Sequence, residues 1–412
     1  MQETAPRSRP FCDLVMKGGV ASGIVYPDAI YEISRSFDLK SIGGTSAGAI
    51  AAALAAAAQY RRLRAAGGDA EAGFERVRAI PDTLAAEGRL FKLFAPNRST
   101  RALFAIAVDL FSPATPLAVK TVCLLRAYPL HALAGLLPGA LYAFATAAGR
   151  APVPILHYAV ALVVALLGAI AACVFGLLWD MLRKLPGNCY GFVTGIDDAD
   201  PEGTLALDAW LAAELEETAG LEAGKVPLTF GMLWNPQAAP GPCSIDTPPP
   251  GDARAVNLQM VTTCLTEGRP YQFPTRTARF YFKPAEFAKF FPAHVVQWLR
   301  DCSRPDDGAL EGLVALPPIG DLPVIVAVRM SLAFPVLLSA VPLYAIDFTD
   351  LAPQQPQPVW FSDGGLTSNF PIQMFDSPIP RWPTLALNLG PFGPRTPADG
   401  VATAGSTGSG RL

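Results

Sequence analysis

The sequence predicts an α/β fold interrupted by a hydrophobic helical insertion. Three observations carry the prediction: short apolar runs that end in glycine pairs, an alanine-rich stretch that starts two residues after one such pair, and a long middle region almost free of charge. With 412 residues the chain can bury a large core, as one big α/β domain or two smaller ones.

Asp13-Leu14-Val15-Met16 is an apolar run of strand length that stops at Lys17-Gly18-Gly19, the pattern of a buried strand entering a glycine turn. The spacing then predicts a helix over 27–36 and a second strand over 39–42, which ends at Gly43-Gly44. From Ala47 to Arg64 strong helix formers dominate, and Arg61, Arg62 and Arg64 fall where a helix dipole favours positive charge. Ser46 therefore lies at a strand-to-helix junction.

Between 101 and 184 this alternation lapses. Residues 157–179 contain no charge, and as a helix they span about 34 Å against a hydrocarbon core of ~30 Å. A second stretch, 130–148, is long enough but is interrupted by Gly135, Pro138 and Gly139, which membrane helices tolerate better than soluble ones. Lys120, Arg126, Arg183 and Lys184 flank the pair on its outer ends, and only Arg150 lies in the connection. The positive-inside bias then places both ends on the cytoplasmic face of a membrane, with the chain integral through residues 130–179. The alternative is a helical hairpin, buried or lying on the surface, that covers the site as a lid. The charge-free length favours spanning.

Past Pro186 globular character returns. An amphipathic helix is expected over 205–219, and the sheet is expected to resume at the apolar segments 227–234 and 324–328. The expected organisation is a catalytic body from 11–100 and 186–394, an insertion from 101–185, and a disordered tail over 395–412, where Gly, Ser, Thr and Ala dominate.

Hydrophobic residues make up 51% of the chain and charged residues 16%, with a mean hydropathy of +0.31. Soluble proteins carry about 25% charge, so contact with lipid is expected. A net charge of -3 lacks the basic excess that neutralises phosphates, which excludes nucleic acid as a partner. The seven cysteines (Cys12, Cys123, Cys173, Cys189, Cys243, Cys264 and Cys302) are odd in number, scattered and without a C-x-x-C pair. They read as reduced thiols in a reducing cytosol. No zinc-type ligand spacing appears, and no apolar run of signal-peptide length follows residues 1–10, so neither a metal nor export is expected.

Gly44-Thr45-Ser46-Ala47-Gly48 is a Gly-x-Ser-x-Gly pattern that an ordinary glycine-rich turn also produces. A strand before it and a helix after it favour a nucleophile elbow. Such an elbow pushes the Ser46 hydroxyl outward, and the following helix aims its N-terminal amides and positive dipole end at an oxyanion forming beside it. A serine hydroxyl needs a base, most often histidine. His131 and His157 lie within the insertion, and His294 sits in Phe291-Pro292-Ala293-His294-Val295-Val296, which suggests a helix start more than a catalytic loop. A carboxylate must then be considered. Asp363, in Val359-Trp360-Phe361-Ser362-Asp363-Gly364-Gly365, reads either as a common Asp-Gly turn or as a catalytic group at the carboxyl end of a strand, where such groups cluster in open α/β sheets.

Lys17 to Pro27, Gly44 to Gly48, the segment Arg329-Met330-Ser331-Leu332-Ala333-Phe334-Pro335, Asp363-Gly364-Gly365, and Asn369 with Pro371 occur in an order that resembles the patatin-like phospholipase family. The likeness runs over most of the globular sequence. It implies a three-layer α/β/α fold with a central, mostly parallel sheet, and a Ser-Asp dyad that answers the scarcity of histidine. By that resemblance Ser46 is the nucleophile, Asp363 the general base, and the amides of Gly18 and Gly19 the oxyanion hole, with no metal or cofactor. The sequence departs from the family at Val20, where a third glycine is usual, and at Ser22, where a basic residue is usual. Val20 does not readily take positive φ, which would rotate the loop amides.

The expected function is a lipid acyl hydrolase of phospholipase type, acting on phospholipid or another acyl lipid at a membrane. Two alternatives stay open. One is a catalytically weak or inactive membrane or signalling protein on the same scaffold, motivated by Val20 and Ser22; the other is an acyltransferase or soluble esterase that keeps the nucleophile.

Overall fold

Strand, glycine turn and helix alternate through the first part of the chain in the computed structural model, which describes residues 9–19, 22–65, 69–85, 92–112, 115–149, 154–196, 206–275, 280–303, 312–346 and 356–388. Strand β1 (Phe11–Met16), helix α1 (Ser22–Ser36), strand β2 (Asp38–Gly44) and helix α2 (Ala47–Arg64) follow in the expected order. Every β1 residue after Phe11 is buried, as in a strand covered on both faces. Helix α3 (Ala72–Ala85) packs on α1 and α2. Small side chains make α2 the hub: Ala49 and every residue from Ala51 to Tyr60 are buried against the surrounding sheet and helices.

The main sheet adds β4 (Asn257–Cys264), β5 (Arg269–Phe273), β6 (Phe280–Phe282), β7 (Val314–Ala315), β9 (Val341–Ala345), β10 (Gln357–Ser362) and β11 (Thr384–Leu387). Its nine strands run β11-β1-β2-β4-β10-β9-β6-β7, with β5 beside β4. The fold is a mixed α/β one. Strands β11, β1, β2 and β4 are parallel, the part of the sheet that matches the expected mostly parallel arrangement. From β4 outward every pairing is antiparallel. A tight turn through Gly268, at φ 65, joins β4 to β5, and so short a link permits only an antiparallel partner. Two further strands, β3 (Gly191–Val193) and β8 (Val336–Leu338), pair apart from the main sheet.

The expected helix over 205–219 is present as Leu207–Thr218. The expectation that the sheet resumes at 227–234 and 324–328 is wrong: these segments hold the helices Phe230–Trp234 and Val324–Leu332. The second is buried on all sides, and a run apolar on every face has no periodicity to separate strand from helix.

The insertion is helical throughout its described part: Arg101–Phe111, Leu117–Ala127, Pro129–Gly135, Leu137–Ala147 and Ile155–Gly187. In chain order these are α4 to α8. The stretch 130–148 is two helices broken at Leu136, ahead of Pro138, whose missing N–H cannot continue the ladder. Helix α8 is continuous over 33 residues. A Cβ on Gly135 or Gly168 would run into the other's carbonyl, and one on Gly139 into that of Ala161. Such a small-residue seam is how membrane helices approach closely. The outer faces are apolar and open, with Leu133 66%, Phe144 74% and Leu162 60% exposed. Pro129–Ala147 and Ile155–Gly187 are long and apolar enough to cross a membrane by length and composition. Arg150 and the tail 395–412 lie outside the described residues.

A second apolar cluster ties insertion to body: Leu103 of α4 and Leu185 of α8 pack with Leu93, Phe192, Leu207, Leu332 and Leu338.

Candidate active site

Strand β2 delivers the chain into Thr45-Ser46, and α2 departs at Ala47. Ser46 sits at φ 55, ψ -130, a backbone state that costs a non-glycine residue of order 1–3 kcal/mol. Its glycine neighbours make the elbow possible. A Cβ on Gly44 would run into the Gly48 carbonyl, and one on Gly48 would lie 2.5 Å from the Met16 carbonyl oxygen. The first turn of α2 thus rests directly on the ends of β1 and β2. Ser331 braces it from the opposite side, donating to the Val261 carbonyl at 2.6 Å and accepting from the Ser46 N–H at 3.2 Å.

Asp363 follows the last residue of β10 and is pinned on its backbone. Its N–H donates to the Ala333 carbonyl at 3.0 Å, its carbonyl accepts from Thr263 Oγ1 at 2.9 Å, and Ser362 Oγ also donates to Ala333 at 2.8 Å. The residue is 3% exposed. Oδ2 accepts from Ser46 Oγ at 2.8 Å, and Oδ1 accepts from the Gly365 N–H at 2.5 Å. Asp363 is thus both an Asp-Gly turn residue and a partner of Ser46. A Cβ on Gly364 would meet the Val261 carbonyl, so that glycine is required for space and Gly365 supplies an amide. Burial pushes the Asp363 pKa above the ordinary carboxylate range, against the lowering pull of the Ser46 and Gly365 hydrogen bonds.

The oxyanion loop departs from expectation. The Gly18 N–H donates to the Asn369 carbonyl at 2.9 Å, an oxygen that Thr45 Oγ1 also uses at 3.0 Å. The expected role of Gly18 as an oxyanion donor is therefore not available in this arrangement, because the chain returning through Asn369 has taken its proton. Among the described residues the N–H groups of Gly19 and of Ala47, at the head of α2, donate to no acceptor. Among the described residues of the loop and the elbow, these two donors remain for an oxyanion. Val20 and the side chain of Ser22 lie outside the described residues.

None of the three histidines pairs with Ser46. His294 is held by Glu216 at 2.7 Å, His157 stacks on Tyr142, and His131 packs under Gly176. Among the described residues no cluster of His, Cys, Asp and Glu is placed to hold a metal ion.

Beside Ser46 opens a pocket of about 250 Å³. Apart from Ser46 its walls are apolar: a face of α2, Val77, Ile80 and Leu84 of α3, Leu207 and Trp210, and Leu332, Phe334 and Leu338. Behind that last wall Arg329 and Asp208 form an ion pair at 2.8 Å with neither side chain exposed. Arg329 Nη2 also donates to the carbonyls of Thr194 and Ser339 at 3.1 and 2.9 Å. Sequence reasoning missed Asp208, whose only signal is an acidic residue in the first turn of an amphipathic helix.

No protein-family model matches the chain. It is 36% identical over 429 residues to a protein of Rhizobium meliloti (strain 1021) named RpoH suppressor, a likeness that covers 92% of this chain and 66% of that protein. Among solved structures it is similar to VipD from Legionella pneumophila at a TM-score of 0.27 and 13% identity, over 93% of this chain and 50% of that one. A likeness that loose carries no argument about chemistry.

Proposed function

We propose that this protein is a membrane-associated lipid acyl hydrolase of the patatin-like phospholipase type, with Ser46 as nucleophile and Asp363 as general base. The observation that carries the reading is the 2.8 Å hydrogen bond from Ser46 Oγ to a buried carboxylate beside an apolar pocket. Ser46 Oγ attacks the ester carbonyl carbon as its proton passes to Asp363 Oδ2. The resulting oxyanion accepts from the N–H groups of Gly19 and Ala47 and lies at the positive end of α2. Collapse breaks the ester C–O bond, and the leaving alcohol takes the proton from Asp363. Water then attacks the acyl-enzyme carbonyl, giving a proton to Asp363; collapse breaks the bond to Ser46 Oγ, which takes that proton back from Asp363 as the carboxylic acid leaves. A carboxylate with a raised pKa is the stronger base in both steps.

The apolar pocket suits the acyl chain of a phospholipid or another acyl lipid. In this reading the hairpin α6 to α8 seats the protein in a bilayer, with Lys120, Arg126, Arg183 and Lys184 on the cytoplasmic side. Support comes from the cluster that joins α4 and α8 to the pocket wall.

Fatty-acid release from mixed micelles by the full-length protein tests the assignment. Ser46→Ala and Asp363→Asn should each lower kcat by on the order of 10⁴-fold or more, while His294→Ala retains most activity. Release that survives Ser46→Ala overturns the reading. A second reading, a patatin-like scaffold without turnover, is favoured by the capture of the Gly18 N–H by Asn369; intact membrane binding with no ester cleaved would support it.

A further inference from the structure

The pocket has a length as well as a character. On α2 it is lined by Ser46, Ala47, Ile50, Ala51 and Leu54, residues that share one helix face. It therefore follows α2 from the nucleophile to Leu54, about 12 Å at 1.5 Å per residue. One turn further on, Ala57 and Ala58 have no exposure and belong to the main core. Leu54 stands at the closed end of this face, itself 3% exposed.

An extended acyl chain advances about 1.3 Å per carbon, given C–C bonds of ~1.5 Å, so about nine carbons fill that length. The chains of common membrane lipids are nearly twice as long.

We propose that this pocket is an acyl gauge that fully buries a medium-length chain of about eight to ten carbons, with Leu54 setting its limit and Ala51 its width. The inference rests on the hydrolase reading and adds the substrate's chain length to it. Each further methylene accommodated strengthens binding about fourfold, so discrimination rises with length until the end wall is met. A longer chain gains nothing more, because its remaining carbons stay outside.

The test is kcat/KM for p-nitrophenyl esters from butyrate to palmitate, presented to the full-length protein at a fixed mole fraction in mixed micelles. Because the micelle already shelters the chain from water, the rate constant should rise by less than about fourfold per carbon as far as octanoate or decanoate and then level off or fall. Leu54→Ala should carry the break to longer chains by about two carbons, since it removes most of a buried side chain. Ala51→Phe should bring the break down to hexanoate or shorter, and a Tm close to the parent's in detergent certifies that the variant is folded. A rise that continues to palmitate, or a break that stays put in both variants, overturns the gauge.

Should no ester be cleaved, the hydrolase reading fails and the pocket is still measurable. A photoactivatable decanoate with its diazirine on the terminal carbon should label the α2 peptide around Leu54 in the Ser46→Ala protein. Labelling confined to the hairpin or to surface residues would overturn the gauge on its own.

Discussion

Helices α2 and α8 both carry long apolar runs, yet these face opposite surroundings. In α2 small side chains predominate, and apart from the face that lines the pocket the helix is sealed among β1, β2, β4, α1 and α3. In α8 only Ala161, Ala169, Cys173, Gly176 and Leu185 are buried, while Leu162, Leu167 and Phe175 stand open. Small residues all round suit a helix that must be approached from all sides. Small residues along one seam with large ones outward suit a helix whose other faces meet a fluid apolar medium. Apolar content does not separate the two; the placement of the small residues does.

That contrast can be broken by substitution. The largest loss of stability is expected where the packing around α2 depends on a buried charge pair. Asp208→Ala strands Arg329 without a counter-ion and should cost about 3–5 kcal/mol, read as a lowered Tm of the detergent-solubilised protein. An unchanged Tm would show that the pair does not hold this wall. Next, Leu162→Arg should weaken membrane insertion of the hairpin by about 2.5–3.5 kcal/mol if that residue lies near the bilayer centre. Fractionation would register the change, and equal partitioning of variant and parent would place the hairpin outside the bilayer.

Enlarging α2 and trimming α8 give a matched pair. Ala55→Leu overpacks a site with no exposure and should destabilise by about 1–3 kcal/mol. Leu167→Ala, at a residue 62% exposed, should change stability by less than about 0.5 kcal/mol. Equal effects would erase the contrast. The smallest effect concerns the head of α2. In the proposed mechanism Asp363 acts as a base when ionised, and burial raises its pKa, so activity should be lost as pH falls through a value above the usual ~3.9. An acid limb in kcat/KM at or below that ordinary value would contradict the buried base.

Much of the elbow was legible because its determinants are local. Gly44, Ser46 and Gly48 satisfy one turn among themselves, and Asp363-Gly364-Gly365 closes another. The Gly18 donor was misread because the fate of its N–H depends on Asn369, far along the chain and brought beside it only by folding. The same distance hid the Arg329–Asp208 pair. Strand β4 was overlooked because Gln259, Thr262 and Thr263 dilute its apolar pattern. Those threonines serve the site: Thr262 donates to the Ser362 carbonyl at 2.8 Å and Thr263 to that of Asp363. In Val324–Leu332 the obstacle was the reverse, a run so uniformly buried that it carries no period.

The length of α8 sets a clearance. Its charge-free part ends at Trp179, where Arg183 lies over the indole at 4.5 Å, an arrangement suited to the headgroup level. The helix then continues through Asp180, Arg183 and Lys184 to Gly187, a further stalk of about 12 Å. Leu185 on that stalk packs in the cluster that includes Leu207, Leu332 and Leu338 of the pocket wall. In the membrane-seated protein the catalytic body would therefore ride above the leaflet by about the height of one medium acyl chain, so a lipid could put its ester within reach without leaving the bilayer entirely.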